Sequence, residues 1–295
     1  MLLKFKDIKP VIFSSLILLF IAAGNLRAAG PMGEMKPATV ANKLLDQAYG
    51  KDPQQRMDIY LPKKRTTTAA KVFIVIHGGG WFSGDKADLN SMVGFLKSNF
   101  PNHAIVNINY RLGTQEKPGF PRQIEDIERA IAYLDGKHQE YNISKRYAMI
   151  GTSAGGHLAM LYSYRYNTEN KVSSVCSIVA PTDFSDSSLK GNVRIDYALR
   201  FFIGKHMNYT SNPKIYNDIS PAKHITSAAP PTLLIHSSND PFVPNTQGKI
   251  LIEKLNAKLV YNEYYKYDNA GHANWSRKQQ SDIDKKMKKF FSKHF

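Results

Sequence analysis

The sequence predicts an α/β protein with a mostly parallel central sheet, helices on both faces of that sheet and a small cap insertion. Short runs of β-branched and apolar residues alternate with segments of helical periodicity, which is typical of parallel sheets covered on both sides. Two glycine-rich motifs follow such runs directly, at the position where α/β sheets carry their functional loops. A length of 295 residues accommodates one large domain of this kind.

The N-terminal segment has the pattern of an export signal rather than of a folded element. Three lysines precede a predominantly apolar stretch at residues 11–23, and small residues follow it. This pattern predicts a secretory signal peptide over residues 1–30, with an uncleaved membrane anchor as the alternative. We then expect residues 31–295 to form the α/β domain of a periplasmic or secreted bacterial protein.

The first glycine-rich motif reads His-Gly-Gly-Gly-Trp at residues 77–81. It follows an apolar run at residues 71–76 that predicts a central strand. Three consecutive glycines raise the entropy lost on folding, and a need for close backbone approach to a ligand would explain them. We predict that the amide groups of Gly79 and Gly80 stabilise an oxyanion. A flexible loop that simply ends the strand is the alternative.

The second motif reads Gly-Thr-Ser-Ala-Gly at residues 151–155, between a predicted strand at 147–150 and a predicted helix at 154–164. A serine at such a strand-to-helix turn is held in strained geometry that exposes its hydroxyl. The sequence therefore predicts Ser153 as a nucleophile. The amide of Ala154, at the start of the helix, is predicted as a third oxyanion donor. By itself, this motif also fits an ordinary Gly/Ser turn.

A serine nucleophile needs a histidine base, and five histidines lie well beyond Ser153. They are His206, His224, His236, His272 and His294. His272 is the predicted base, because its polar loop follows a predicted strand at 259–265 and precedes a predicted helix at 281–295. We expect His236 to pack at the end of its own strand.

The acid that orients the base is predicted to be Asp240. It lies in the loop after a predicted strand at residues 232–236, and it precedes His272 in the order nucleophile, acid, histidine. Two other carboxylates compete for this role. Asp183 follows another apolar run, and Asp268 lies close to His272 in the sequence.

These motifs, together with His-Ser-Ser-Asn-Asp-Pro-Phe-Val-Pro at residues 236–244, resemble those of the carboxylesterase branch of the α/β-hydrolases. Within it, the chain is most similar to hormone-sensitive-lipase-like esterases and to bacterial feruloyl- and acetyl-esterase-like proteins. The resemblance covers about residues 45–295, with residues 57–62 resembling the first strand.

The resemblance implies an α/β-hydrolase fold and a serine carboxylesterase that cleaves small or carbohydrate-linked esters through an acyl-enzyme, without a cofactor. Aryl-formamidases and prolyl-oligopeptidase-like peptidases share the signature, so an amide substrate stays open. A non-catalytic binding protein on the same scaffold is a further alternative.

The segment at residues 183–225 interrupts the alternation of strands and helices and is rich in Tyr, Phe, Asn and Ser. It predicts a small cap over the active site, with a surface insertion packed by its aromatics as the alternative. Helices are predicted on either side of it, at residues 121–136 and 243–255.

The formal charge of the chain is +16, and without residues 1–30 it is still +13. Such a surface favours anionic partners such as an acidic polysaccharide or an envelope polymer. No nucleic-acid-binding motif accompanies the charge, so nucleic acid is not predicted as a partner, and neither is an obligate protein partner. The single cysteine, Cys176, lies in an apolar run and is predicted to be inert, and no metal-binding motif is visible.

Overall fold

The computed structural model describes residues 41–63, 69–189 and 191–295, and within them the chain forms an eight-stranded sheet. In chain order the strands are β1 (Lys43–Ala48), β2 (Arg56–Tyr60), β3 (Ala70–Ile76), β4 (Ala104–Ile108), β5 (Ile143–Thr152), β6 (Val172–Ile178), β7 (Thr232–Ser237) and β8 (Asn262–Tyr267). Their order across the sheet is β1-β2-β4-β3-β5-β6-β7-β8. Strand β2 pairs antiparallel with both β1 and β4, and the remaining pairs are parallel. The predicted α/β-hydrolase fold is confirmed.

Helices connect the strands on both faces of the sheet. They are α1 (Asn90–Asn99), α2 (Arg122–Gly136), α3 (His138–Tyr141), α4 (Ala154–Leu161), α5 (Val193–Phe202), α6 (Pro213–Asp218), α7 (Thr246–Ala257) and α8 (Arg277–His294). Short 3₁₀ turns occur at Lys86–Leu89 and Pro221–Lys223, and a π-helical turn at Tyr162–Tyr166 continues α4.

Successive side chains of β3 enter different cores, which is why its residues 72–76 are all apolar. Val72 and Ile74 pack into the core that also contains α2 and α4 residues, whereas Phe73 and Val75 pack into the core closed by α1 and α8. A strand covered on both faces has no solvent side and therefore shows no polar alternation. Cys176 of β6 is likewise fully buried.

Several predicted boundaries were wrong. The stretch at residues 57–62 does not form the first strand, because Lys43–Ala48 precedes it and pairs antiparallel with β2. The C-terminal helix begins at Arg277 rather than at 281. Ser276 and Gln279 form a reciprocal capping box at its start, with Ser276 Oγ accepting from the Gln279 amide at 3.3 Å.

The last strand and the helix before it also lie a few residues later than predicted, at Asn262–Tyr267 and Thr246–Ala257. The predicted signal segment at 1–30 lies outside the described residues. Within the part of the chain that the structure describes, no helix is both long and apolar enough to cross a bilayer.

Parallel strands direct their carboxyl ends to one edge of the sheet, and this arrangement builds the site. The loops after β3, β5, β7 and β8 contain, respectively, the triple-glycine motif, Ser153, Asp240 and His272. Loops that are far apart in the sequence therefore meet at one edge.

Candidate active site

Ser153 lies on a sharp turn between β5 and α4. Its backbone has φ 53° and ψ −121°, a conformation that non-glycine residues rarely adopt. The Ser153 amide donates to the carbonyl of Ile178 at 2.8 Å, and its carbonyl accepts from the His157 amide at 2.9 Å. These bonds hold the strained turn in place, and the side chain faces the cavity next to β3.

The tightness of this turn depends on Gly155. A Cβ atom at Gly155 would lie 2.1 Å from the carbonyl oxygen of Ile76 and 2.3 Å from that of His77. Both are backbone atoms of the neighbouring strand and loop, so they can yield only if the strand end moves. The glycine therefore lets α4 approach the end of β3.

We expect Gly155→Ala to lower the free energy of unfolding by about 3 kcal/mol or more, through overpacking against fixed backbone. Gly136→Ala is the matched control, because a Cβ at Gly136 in α2 meets nothing within 4 Å. The control should stabilise the protein by about 0.5 kcal/mol. Urea unfolding of both variants measures the difference. Equal midpoints would contradict this account of the turn.

A continuous chain of hydrogen bonds joins the three residues predicted as the triad. His272 Nε2 lies 2.8 Å from Ser153 Oγ, and His272 Nδ1 lies 2.6 Å from Asp240 Oδ2. The Asp240 side chain is fully buried, and its Oδ1 accepts from the amides of Phe242 at 2.8 Å and Val243 at 3.0 Å. The carboxylate is thus fixed with one oxygen directed at the imidazole, which leaves Nε2 as an acceptor for the serine hydroxyl.

The competing carboxylates take other partners. Asp183 Oδ2 pairs with Lys223 Nζ at 3.1 Å, and Asp183 Oδ1 accepts from the Ser185 amide at 2.9 Å. Of the described residues, only Asp240 places a carboxylate on the His272 ring. Asp268 contributes only its backbone carbonyl, which accepts from the Gln279 side chain at 2.8 Å.

The other candidate histidines lie elsewhere. His236 is fully buried in β7, and burial lowers its pKa to about 4. His224 contacts the carbonyl of Asp218 at 3.0 Å, and His294 packs on Tyr261 with ring centroids 4.1 Å apart. His206 lines a separate cavity beside α5. None of these four replaces His272 beside Ser153.

Asn239 links the loops of Asp240 and His272, a contact that the sequence did not predict. Its Oδ1 accepts from the amides of Ala270 and Gly271, both at 3.1 Å, and from Ser237 Oγ at 2.9 Å. One side chain thus joins the loop of the acid to the loop of the base. A turn asparagine next to an aspartate gives no sign of this contact in the sequence, because its partners in the other loop are 31 and 32 residues away.

We expect Asn239→Leu to reduce kcat by about 100-fold, because losing the shared acceptor releases the loop that holds the base. Asn239→Asp keeps an acceptor oxygen at the same place and should recover most of the activity. Steady-state kinetics of both variants on one ester substrate tests this. Equal losses in the two variants would exclude a positioning role for the acceptor.

The triple-glycine loop has the backbone geometry of a donor site. Gly79, Gly80 and Trp81 have φ values of 101°, 58° and 67°, and the loop closes through the Ser83 amide, which donates to the Gly79 carbonyl at 2.9 Å. Tyr110 stabilises the start of the loop by donating its hydroxyl hydrogen to the carbonyl of His77 at 2.9 Å.

The predicted oxyanion donors are available for a ligand. Gly79 and Gly80 line the same cavity as Ser153 and His272, and Ala154 occupies the first position of α4. Among the described residues, none of these three amides donates to a protein acceptor. Unpaired amides beside a nucleophile are the arrangement that stabilises a tetrahedral oxyanion.

Trp81 and His157 connect this loop to the rest of the site. Trp81 Nε1 donates to His157 Nδ1 at 3.2 Å, and His157 Nε2 donates to the carbonyl of Ile219 at 2.7 Å. Burial lowers the pKa of His157 to about 4, so its ring is neutral near pH 7 and can accept at Nδ1. The Trp81 ring also stacks on Phe202 of α5, at 4.7 Å between centroids.

The cavity in front of Ser153 has a volume of about 840 Å³. Its walls are mostly apolar, and one of them is formed at the start of α5 by Val193, Arg194, Ile195, Tyr197 and Ala198. Part of the segment predicted as a cap therefore borders the site. Within the described residues, no group of His, Cys, Asp and Glu side chains is arranged to hold a metal ion.

The fold and this geometry define the protein as an α/β-hydrolase. The chain belongs to the BD-FAE family, whose profile matches residues 57–255.

Two curated relatives come from Mycobacterium tuberculosis. Esterase LipC is 28% identical over 76% of this chain and 58% of its own length. The probable carboxylic ester hydrolase LipM is 28% identical over 71% of this chain and 51% of its own length. This chain thus spans only about half to three fifths of these relatives.

Among solved structures, a truncated carbohydrate esterase from gut microbiota has a similar fold. The two structures superpose with a TM-score of 0.73 at 22% sequence identity, and the match covers 88% of this chain and 98% of the esterase chain.

Proposed function

We propose that the protein is a serine carboxylesterase. The observation that carries the proposal is the hydrogen-bonded chain from Asp240 through His272 to Ser153, in a cavity that the unpaired amides of Gly79 and Gly80 also line. A nucleophile, an oriented base and an oxyanion site are the three parts that acyl transfer requires. The names of the curated relatives, both ester hydrolases, support the choice of an ester.

The geometry supports a two-step mechanism. Ser153 Oγ attacks the ester carbonyl while His272 Nε2 takes its proton, and Asp240 stabilises the resulting imidazolium. The carbonyl oxygen becomes an oxyanion facing the amides of Gly79, Gly80 and Ala154.

When the carbonyl re-forms, the C–O bond to the alcohol breaks, and the alcohol leaves with the proton from His272. Water then loses a proton to His272 and attacks the acyl-enzyme, which releases the acid and restores Ser153. The proton of Ser153 leaves with the alcohol, and the proton taken from water passes through His272 to Ser153 Oγ, so the enzyme returns to its starting state without a cofactor.

A matched ester and amide test the proposal. We expect purified protein to hydrolyse 4-nitrophenyl acetate and to leave 4-nitroacetanilide, which has an amide in place of the ester, nearly unchanged. Faster turnover of the anilide would indicate an amide hydrolase. A failure to react with a fluorophosphonate at Ser153 would indicate a non-catalytic binding protein.

We also propose small or carbohydrate-linked esters as substrates. The cavity volume of about 840 Å³ suits a compact acyl group and a sugar-sized alcohol. The carbohydrate esterase of similar fold is consistent with this choice. For localisation we propose export by the N-terminal segment, which cell fractionation with N-terminal sequencing of the mature protein would test.

A further inference from the structure

Arg194 brings a positive charge to the active-site cavity. It lies in the first turn of α5 and lines the same cavity as Ser153 and His272. Its guanidinium lies over the ring of Phe242, 5.5 Å from the centroid, and that ring lies 4.9 Å from the ring of His272. One aromatic side chain therefore separates the guanidinium from the catalytic base.

Arg194 is anchored without being neutralised. One of its terminal nitrogens donates to the carbonyl of Pro241 at 3.3 Å, and Asn192, two residues earlier at the N-cap of α5, donates to the carbonyl of Phe242 at 3.3 Å. Among the described residues, no carboxylate pairs with Arg194. Most of its hydrogen-bond donors are thus free to bind a ligand.

The other charges near the cavity do not cancel this one. Asp88 also lines the cavity and keeps its negative charge, but among the described residues it forms no ion pair with Arg194, and its Oδ2 accepts from the Asp85 amide at 3.0 Å. Asp196 and Arg200, on the same helix as Arg194, line a different cavity. The positive end of the α5 dipole adds to the charge of Arg194, although it makes a cation there unfavourable for helix stability.

We infer that Arg194 determines specificity by binding a carboxylate of the substrate, so that the enzyme prefers esters that carry a second, ionised carboxyl group. This inference rests on the proposed esterase function. Arginine matches a carboxylate with two parallel N–H donors, and the surrounding apolar wall contains few competing groups. The carboxylate belongs either to the acyl half or to the alcohol half of the ester.

Two pairs of substrates separate these cases. Monoethyl succinate and ethyl butyrate differ only by a carboxylate in place of the terminal methyl group of the acyl chain. The esters 4-acetoxybutyrate and butyl acetate differ in the same way on the alcohol chain. Titration of the acid released measures kcat/KM for all four, and we expect the wild type to prefer the anionic member of at least one pair.

Arg194→Ala should lower kcat/KM for the preferred anionic ester by about fivefold, mainly through KM, while the neutral partner changes little. Arg194→Lys should keep part of the preference because it keeps the charge. Arg200→Ala removes the same charge from the same helix outside this cavity, and it should leave the preference unchanged. In the wild type, the preference for the anionic ester should decrease with increasing salt, because salt screens the attraction between the exposed Arg194 guanidinium and the carboxylate of the substrate.

Three results would overturn the inference. One is a wild type that prefers the neutral member of both pairs. Another is equal loss on anionic and neutral esters in Arg194→Ala, which would make Arg194 a support of the Pro241 loop. The third is an Arg200→Ala variant that loses the preference to the same extent.

A binding measurement separates failure of this inference from failure of the proposed function. Calorimetric titration of monoethyl succinate and 4-acetoxybutyrate into Ser153→Ala needs no turnover. We expect weaker binding when Arg194→Ala is added to that variant. Unchanged affinity for both anionic ligands would overturn the role of Arg194, whatever the wild type hydrolyses.

Discussion

Ser153→Ala should reduce kcat on 4-nitrophenyl acetate by about a millionfold. The substitution removes the oxygen that forms the acyl-enzyme, and His272 then has no hydroxyl to deprotonate. The fold should persist, because the turn is held by the backbone bonds to Ile178 and His157, which the variant keeps. Burst kinetics and fluorophosphonate labelling measure the loss of the nucleophile.

The matched control is Ser292→Ala, which removes an exposed hydroxyl from α8. It should keep full activity, and both variants should unfold at the temperature of the wild type. Residual turnover above about one per cent of the wild type in Ser153→Ala would show that another group is the nucleophile.

Asp240→Asn should reduce kcat by about four orders of magnitude. The side-chain amide oxygen of the variant can still accept hydrogen bonds from the backbone amides of Phe242 and Val243, so the loop should keep its shape. It cannot stabilise the imidazolium as a carboxylate does, and an NH₂ group directed at Nδ1 favours the wrong tautomer of His272. The loss should therefore appear in kcat, with KM nearly unchanged.

Asp183→Asn provides the comparison, because Asp183 is also a buried carboxylate after a parallel strand. Its partners are Lys223 and Ser185 rather than His272, so we expect a loss of stability with near-normal kcat. If kcat fell in Asp183→Asn and not in Asp240→Asn, the acid would have to be assigned to the loop after β6.

Some structural features of this protein can be predicted from short stretches of sequence, because the residues that determine them lie within a single turn or strand. The apolar run of β3 predicts a strand buried on both faces, and the glycines at 79 and 80 indicate where the backbone bends. Both constraints act between residues close together in the chain or within one strand. The fold class and the predicted nucleophile therefore did not depend on knowing the contacts.

Local sequence patterns predicted the ends of helices and strands less accurately. The antiparallel strand β1 escaped prediction because an edge strand with mostly exposed residues lacks the apolar run that marks the other strands. The start of α8 was placed too late because its first turn is polar, and the capping box at Ser276 decides where the helix begins.

Which carboxylate serves His272 was a choice among three in the sequence, and only the packing of the loops after β7 and β8 gives that position to Asp240. The same packing makes Asn239 a link between the two loops and brings Arg194 from α5 to the active-site cavity. The chain by itself determined the class of fold and the local chemistry of the turn at Ser153. Tertiary structure decided the partners, because hydrogen bonds between loops depend on distances in space, which sequence separation does not determine.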